Sequence, residues 1–259
     1  MEGKRGLILG VANERSIAWG IAKALADQGA ELAFTFQGEA FEKRVRPLAE
    51  SVGSTIIAPC DVEDQGSLDA LLSKIDQDWG SLDFVVHSLA YSDKDELTGK
   101  FVETSAENFT RTMNISCFSF TNIAKMAYPL MKENGGSLIT LTYYGSERVM
   151  PNYNVMGVAK AALEASVRYL AADLGEDNIR INAISAGPMR TLAGSAIGSA
   201  RKIYKRSEAN APLRRTVTLE QLGGTAVYLL SDLSGGVTGE VHHVDAGYNI
   251  IGLPYLTGN

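Results

Sequence analysis

Tyr153 and Lys160 stand seven residues apart, and Met156, Ala159, Ala161, Ala162 and Leu163 follow Tyr153 at helical spacing. Seven residues is close to two turns of helix, so the phenol and the ammonium leave one face. Tyr143, ten residues upstream of Tyr153, closes the apolar run 137–142, which reads as a buried strand. A strand end and a helix face can therefore bring two phenols and one ammonium to a single cleft. A free phenol titrates near about 10, and a lysine ammonium within ~4–6 Å lowers that by roughly 1–3 units because it stabilises the phenolate. Such a phenol is still protonated at neutral pH. It suits hydrogen-bonding or protonating a developing oxyanion better than acting as a standing base. The same spacing is met by a core tyrosine beside a lysine that snorkels to the surface, so the rest of the chain has to decide between the two.

The elements around this trio follow a simple order. A short apolar strand at 6–10 ends in glycine, and Ser16 opens a helix with Ile17, Ile21, Ala22, Leu25 and Ala26 on one face. Strands at 31–36, 55–59, 82–87, 137–142, 180–185 and 240–245 alternate with helical stretches at 39–51, 64–79, 106–132, 154–175 and 219–230. Alternation of this kind builds a parallel sheet with helices on both faces, an α/β doubly wound, Rossmann-like fold of about seven strands. No linker, repeat or low-complexity tract interrupts it, which predicts one domain over 1–259.

Composition narrows the function. The 259 residues are 45% hydrophobic and 21% charged with a net charge of −6, which argues against a general binder of nucleic acid or anionic membrane. Cys60 and Cys117 belong to no metal or redox motif, and His87, His242 and His243 lack zinc-type spacing. Free thiols, no metal and a reducing compartment are expected. The segment after Met1 is not signal-like and no stretch is long enough to span a bilayer, so the expected location is cytoplasmic.

In a doubly wound sheet, ligands lie beyond the carboxyl ends of the strands. The first end, Gly10 to Gly20, offers a glycine for close approach and a helix start at Ser16 and Ile17, although it is not GxGxxG and a plain strand–loop–helix turn fits equally well. The second ends in Gln37, a neutral partner for ribose hydroxyls, with Glu39 next and Lys43 and Arg44 further on. A 2′-phosphate would want a cation there, so NADH is expected over NADPH, with Arg15 as the one residue that could reverse this. Asp61 ends the third strand and suits either an adenine amino group or an Asx turn. Small residues follow the fourth strand from His87 to Ala90.

Taken together, the chain resembles the short-chain dehydrogenase/reductase superfamily, and within it the bacterial NADH-dependent enoyl-(acyl carrier protein) reductases. The resemblance runs through Gly10 to Gly20, Phe36-Gln37, Cys60-Asp61-Val62, His87-Ser88, Tyr143 to Lys160, 184–188 and 244–248. Ordinary members of the superfamily carry Tyr-xxx-Lys, whereas here Gly157 holds that position and the lysine comes three residues later. The resemblance implies that Tyr153 bonds the thioester carbonyl, that Lys160 holds the nicotinamide ribose, and that Tyr143 is a second active-site tyrosine lining the pocket. It further implies that Gly10, Ser16, Ile17, Gln37, Asp61, Val62, Leu89, Lys160, Met189, Arg190, Thr191, Leu192 and Ala193 contact NADH, with Ser92 beside the substrate. An acyl carrier protein is the implied partner and a homotetramer the implied assembly. The chain departs from the usual pattern at Leu89-Ala90-Tyr91-Ser92, Tyr144 and Ala200, which bear on pocket shape and leave the reaction class intact.

Two other readings use the same fold. A ketoacyl reductase would add a serine upstream of the tyrosine, where Thr140 and Thr142 are partial substitutes. A dinucleotide-sensing module would have no need for the trio at all. Residues 191–210, rich in small side chains at their start, are expected to act as a lid. Arg201, Lys202, Lys205 and Arg206 would share one broad helical face, which suits either an acidic carrier protein or plain solvent.

Overall fold

The computed structural model describes residues 1–191 and 200–253. Seven strands form one sheet: β1 (Arg5–Leu9), β2 (Glu31–Phe36), β3 (Ile56–Pro59), β4 (Phe84–His87), β5 (Gly136–Thr142), β6 (Ile179–Ala186) and β7 (Val241–Val244). Their order is β3-β2-β1-β4-β5-β6-β7 and every pairing is parallel. The chain reverses its direction of travel across the sheet between β1 and β4, which opens a crevice at their carboxyl ends.

Alternating side chains divide the core into two layers, as the period of two along a strand requires. Leu7, Leu9, Val85, Leu138, Ile181 and Ala183 face one layer, which is covered by α3 (Gln65–Trp79), α5 (Ser119–Met131) and α6 (Asn154–Leu174). Ile8, Phe34, Phe84, Val86, Ile139 and Ile184 face the other, covered by α1 (Ile17–Ala26), α2 (Glu39–Ser51) and α8 (Leu219–Leu230). The expected doubly wound architecture is therefore present. Helix α7 (Ala200–Asn210) belongs to the connection between β6 and α8.

Gly20, the last residue of the stretch that starts at Gly10, lies inside α1, the helix expected to open at Ser16. There a Cβ would come within 2.7 Å of Leu219, and one on Gly223 of α8 would come within 2.6 Å of Ala24. Glycine lets these two helices approach more closely than larger side chains permit. The stretch expected as one helix at 106–132 is split into α4 (Ala106–Met113) and α5 by a π-helical turn at Asn114–Phe118. The wider turn serves polar partners. Ser116 Oγ bonds both the carbonyl and the N–H of Tyr91, at 3.0 and 2.9 Å, and Ser119 Oγ meets Nε2 of the buried His87 at 2.8 Å.

Candidate active site

Register places the functional strand ends along one edge. Leu9 is opposite His87, His87 opposite Thr140, and Thr142 opposite Ser185. Gly10 and Ser88 therefore emerge side by side, while β5 runs on for two more residues and delivers Tyr143 above the crevice. Helix α6 begins at the same edge and carries Tyr153 as its cap residue. The residues on either side of Tyr153 are held in left-handed backbone, Asn152 at φ 60 and Asn154 at φ 33. Such strain persists where surrounding contacts fix it, and the Asn154 side chain supplies one by donating to the Glu96 carbonyl at 3.0 Å.

The two phenols meet edge to face, with ring centroids 5.2 Å apart and planes at 77°. Leu97, Met150 and Met156 complete the apolar wall around them. Tyr153 is buried, and burial pushes its pKa well above the ordinary tyrosine value, helped by Tyr143 and Glu164. Burial likewise raises Tyr143, with Tyr248 and Asp245 acting in the same direction. The expectation that Lys160 lowers the phenol is thus corrected. Desolvation is the largest influence on the phenol, and the ammonium is engaged at the strand end, where Lys160 Nζ donates to the Leu141 carbonyl at 2.8 Å. Burial brings Lys160 down to about 8, while Cys117 and Glu164 act to keep it charged. The result favours Tyr153 as a hydrogen-bond and proton donor and weakens the case for it as a base.

The lysine's late position has a steric cause. A Cβ on Gly157 would lie 2.8 Å from the Gly145 carbonyl oxygen, and one on Gly145 would lie 2.5 Å from the Tyr153 ring. The turn after β5 presses against α6 at the position an ordinary Tyr-xxx-Lys lysine would take. Lys160, further along α6, reaches the end of β5.

Of the expected cofactor residues that are described, most sit just beyond strand ends. Gly10 has φ +99, and a Cβ there would sit 2.1 Å from the Ser88 carbonyl oxygen, so only glycine allows the loops after β1 and β4 to touch. Ser16 Oγ accepts from the Ala12 and Asn13 N–H groups at 3.0 and 3.1 Å, fixing the first loop and leaving its own hydrogen to donate. Ile17 starts α1 directly behind it. Gln37 is exposed at the end of β2. Asp61 forms the Asx turn, its Oδ1 accepting from Glu63 N–H at 2.9 Å, while Val62 and Leu89 are half-buried against the core. Ser92 exchanges hydrogen bonds with Asn108 at 3.3 and 3.2 Å. Met189 and Arg190 line a cavity of about 250 Å³ with Arg15 and Tyr204, and the Arg190 guanidinium lies 4.8 Å from the centre of the Tyr204 ring. Thr191 is described. Leu192, Ala193 and the first part of the expected lid lie outside the described residues. These positions provide a glycine cradle, a helix N-terminus and neutral polar ends, which fit a dinucleotide.

A wider groove of about 770 Å³ opens along β7 and α8 between Tyr228, His242 and Asp245, and none of the three candidate catalytic side chains lines it. Cys60, beside Asp61, has its thiol pushed up to about 12 by burial, so it offers no thiolate. Both cysteines are free and buried. Among the described residues, no three His, Cys, Asp or Glu side chains are placed to hold a metal, and no helix is long and apolar enough to cross a membrane.

Sequence reasoning passed over Glu164. This carboxylate is buried one turn after Lys160 and accepts from Thr142 Oγ1 at 2.6 Å and from Ser146 Oγ at 2.5 Å. Its i,i+4 spacing from Lys160 was the available signal.

Comparison with known proteins agrees with this geometry. Residues 10–249 match the family model described as enoyl-(acyl carrier protein) reductase. The chain is 66% identical over 256 residues to enoyl-(acyl carrier protein) reductase (NADH) 2 of Rhizobium meliloti strain 1021, covering 99% of this chain and 95% of that one. It superposes on the crystal structure of FabI from Candidatus Liberibacter asiaticus with TM-score 0.96, 59% identity and 98% of each chain covered. The enzyme from Anaplasma phagocytophilum, solved in complex with NAD, gives TM-score 0.95 at 58% identity, covering 99% of this chain and 97% of that one.

Proposed function

The chain belongs to the enoyl-(acyl carrier protein) reductase family, and from that premise we infer how it performs the NADH-dependent reduction of trans-2-enoyl thioesters in fatty acid biosynthesis. The observation that carries the assignment of residues is the edge-to-face pair of Tyr153 and Tyr143, with Lys160 held at the Leu141 carbonyl near the carboxyl end of β5. Bound NADH supplies the hydride. Tyr153 hydrogen-bonds the thioester carbonyl oxygen through its phenolic hydrogen and so stabilises the enolate that forms as the β-carbon is reduced; a proton from solvent then adds at the α-carbon and completes the saturated product. The raised pKa keeps that hydrogen on the phenol until the oxyanion develops. Lys160 has three hydrogens; one goes to the Leu141 carbonyl, and the others would serve the ribose hydroxyls of the bound cofactor. Tyr143 lines the acyl side, and Ser92 stands at its entrance. Consumption of NADH with crotonyl thioester, followed by absorbance, tests the whole reading.

NADH is expected to exceed NADPH in kcat/KM by at least about ten-fold, or ~1.4 kcal/mol. Gln37 is neutral, Glu39 stands in the first turn of α2, Arg46 is held by Glu42, and Arg15 is exposed beside Glu14. A preference for NADPH in that comparison would identify Arg15 or Arg44 as a phosphate partner.

We assign the carrier-protein contact to α7. Arg201, Lys202, Lys205 and Arg206 are all exposed there, while Ser207 and Asn210 are buried on its inner side. Replacing Arg201 and Lys202 by Glu is expected to raise KM for an acyl-carrier-protein substrate by about ten-fold at low salt and by less at high salt. The coenzyme-A thioester should change little. Equal losses on both substrates would make the patch a support for the fold. The reading also takes residues 1–259 as one domain with 191–210 as a substrate lid, working in the cytoplasm as a homotetramer. Exposed Phe109, Phe118, Val158 and Tyr169 on and between α4, α5 and α6 support the assembly, and sedimentation tests it.

A further inference from the structure

We infer that Glu164 is a positioning residue for the reduction: its carboxylate ties together the two sides of the turn that carries Tyr143, and places a negative charge one helical turn from Lys160. This rests on the active-centre reading above. Thr142 immediately precedes Tyr143, and Ser146 follows in the 3₁₀ turn at 144–146. Both hydroxyls converge on a single oxygen, Glu164 Oε1, at 2.6 and 2.5 Å. Both partners are hydroxyl donors, so this one oxygen accepts twice. Ser146 Oγ is also 3.0 Å from the Tyr143 carbonyl, which the Ser146 N–H already holds at 2.9 Å. The carboxylate therefore fixes both flanks of Tyr143, and through the edge-to-face contact it fixes Tyr153 as well.

Its second action is electrostatic. Lys160 is faced from β4 by His87, from the π turn by Cys117, and from α6 by Glu164. His87 is buried and held near 3 by desolvation, so it stays neutral at working pH. Burial raises the Cys117 thiol above its ordinary value. The two tyrosines are raised too. Glu164 is the carboxylate among these neighbours, and it acts to keep Lys160 charged.

The test uses Glu164→Gln, which retains an amide oxygen for the two hydroxyls and removes the charge. The alkaline midpoint of NADH affinity, read by fluorescence titration across pH, is expected to move down by about one unit. At pH 7, kcat should fall by about ten-fold. A folded variant whose affinity–pH profile superimposes on that of the parent overturns the inference. If Glu164→Gln does not fold, Glu164→Asp decides: it keeps the charge and shortens the reach. There the midpoint should stay at the parent value while kcat falls, and a displaced midpoint or an unchanged kcat overturns the inference. Failure of the active-centre reading is separately visible. It would show as full turnover in Tyr153→Phe, whereas an inactive Tyr153→Phe beside a parental Glu164→Gln profile rejects only the role of Glu164.

Discussion

Tyr153→Phe is expected to bind NADH within about two-fold of the parent and to lose about 10²–10³ in kcat, the cost of removing one oxyanion donor, ~2.7–4 kcal/mol. The ring stays, so its contacts with Tyr143, Leu97 and Met156 stay, and the start of α6 keeps its shape. What is lost is a hydroxyl that matters most when negative charge reaches the thioester oxygen. Because burial holds the phenol in its protonated form, the parent carries this donor across the whole neutral range. The loss in the variant should accordingly be the same at pH 6 and pH 8. Interactions made only in the transition state lower kcat and kcat/KM together, so KM for the thioester should change little. Steady-state kinetics on crotonyl thioester with a parallel NADH titration measures all three quantities. Near-parental kcat would remove Tyr153 from the mechanism.

The expected phenol chemistry and the observed one differ in a way that shows what a sequence carries. Spacing placed Tyr153 and Lys160 at the start of one helix, and the structure agrees, because helical periodicity depends only on positions along the chain. Spacing could not say how much water each group keeps. Burial, set by Leu97, Met150 and the packed turn at Gly145, reversed the direction of the phenol's shift. Gly157 is a similar case. Its presence where a superfamily lysine would stand was legible, but the reason was not, since it is the Gly145 carbonyl across the turn.

The central strands were the most legible elements because β1, β4, β5 and β6 are short runs buried along nearly their whole length. The range 31–36 matches β2, and the helices at 39–51 and 219–230 match α2 and α8. The π turn at Asn114–Phe118 was not legible, as its cause lies in Tyr91 and His87 on distant loops and strands. Glu164 was overlooked for the same reason. On a helix surface a glutamate is ordinary, and only the fold reveals that Thr142 and Ser146 close over it.

Lys160→Ala should weaken both NADH binding and turnover, which separates it from Tyr153→Phe. A charge-assisted hydrogen bond is worth about 1.5–3 kcal/mol, so the dissociation constant for NADH should rise by roughly 10–150-fold. The pH dependence gives a second signature. In the free protein burial holds Lys160 near 8. A ribose bound through the ammonium favours the charged form, so the pKa in the complex lies above that of the free protein. Affinity in the parent is therefore full below about 8 and declines as pH rises through and beyond it. In Lys160→Ala that alkaline decline should vanish, leaving a weak and flat profile. The substitution also strips the Leu141 carbonyl of its buried donor, at a cost of about 1–3 kcal/mol in stability. Thermal melting must therefore accompany the titration, and Lys160→Gln, which retains a donor without the charge, separates the two effects. Lys160→Gln should recover much of the melting temperature and little of the affinity. If a folded Lys160→Ala binds NADH as the parent does, with the same alkaline decline, then the ammonium does not hold the ribose and another group above the crevice must.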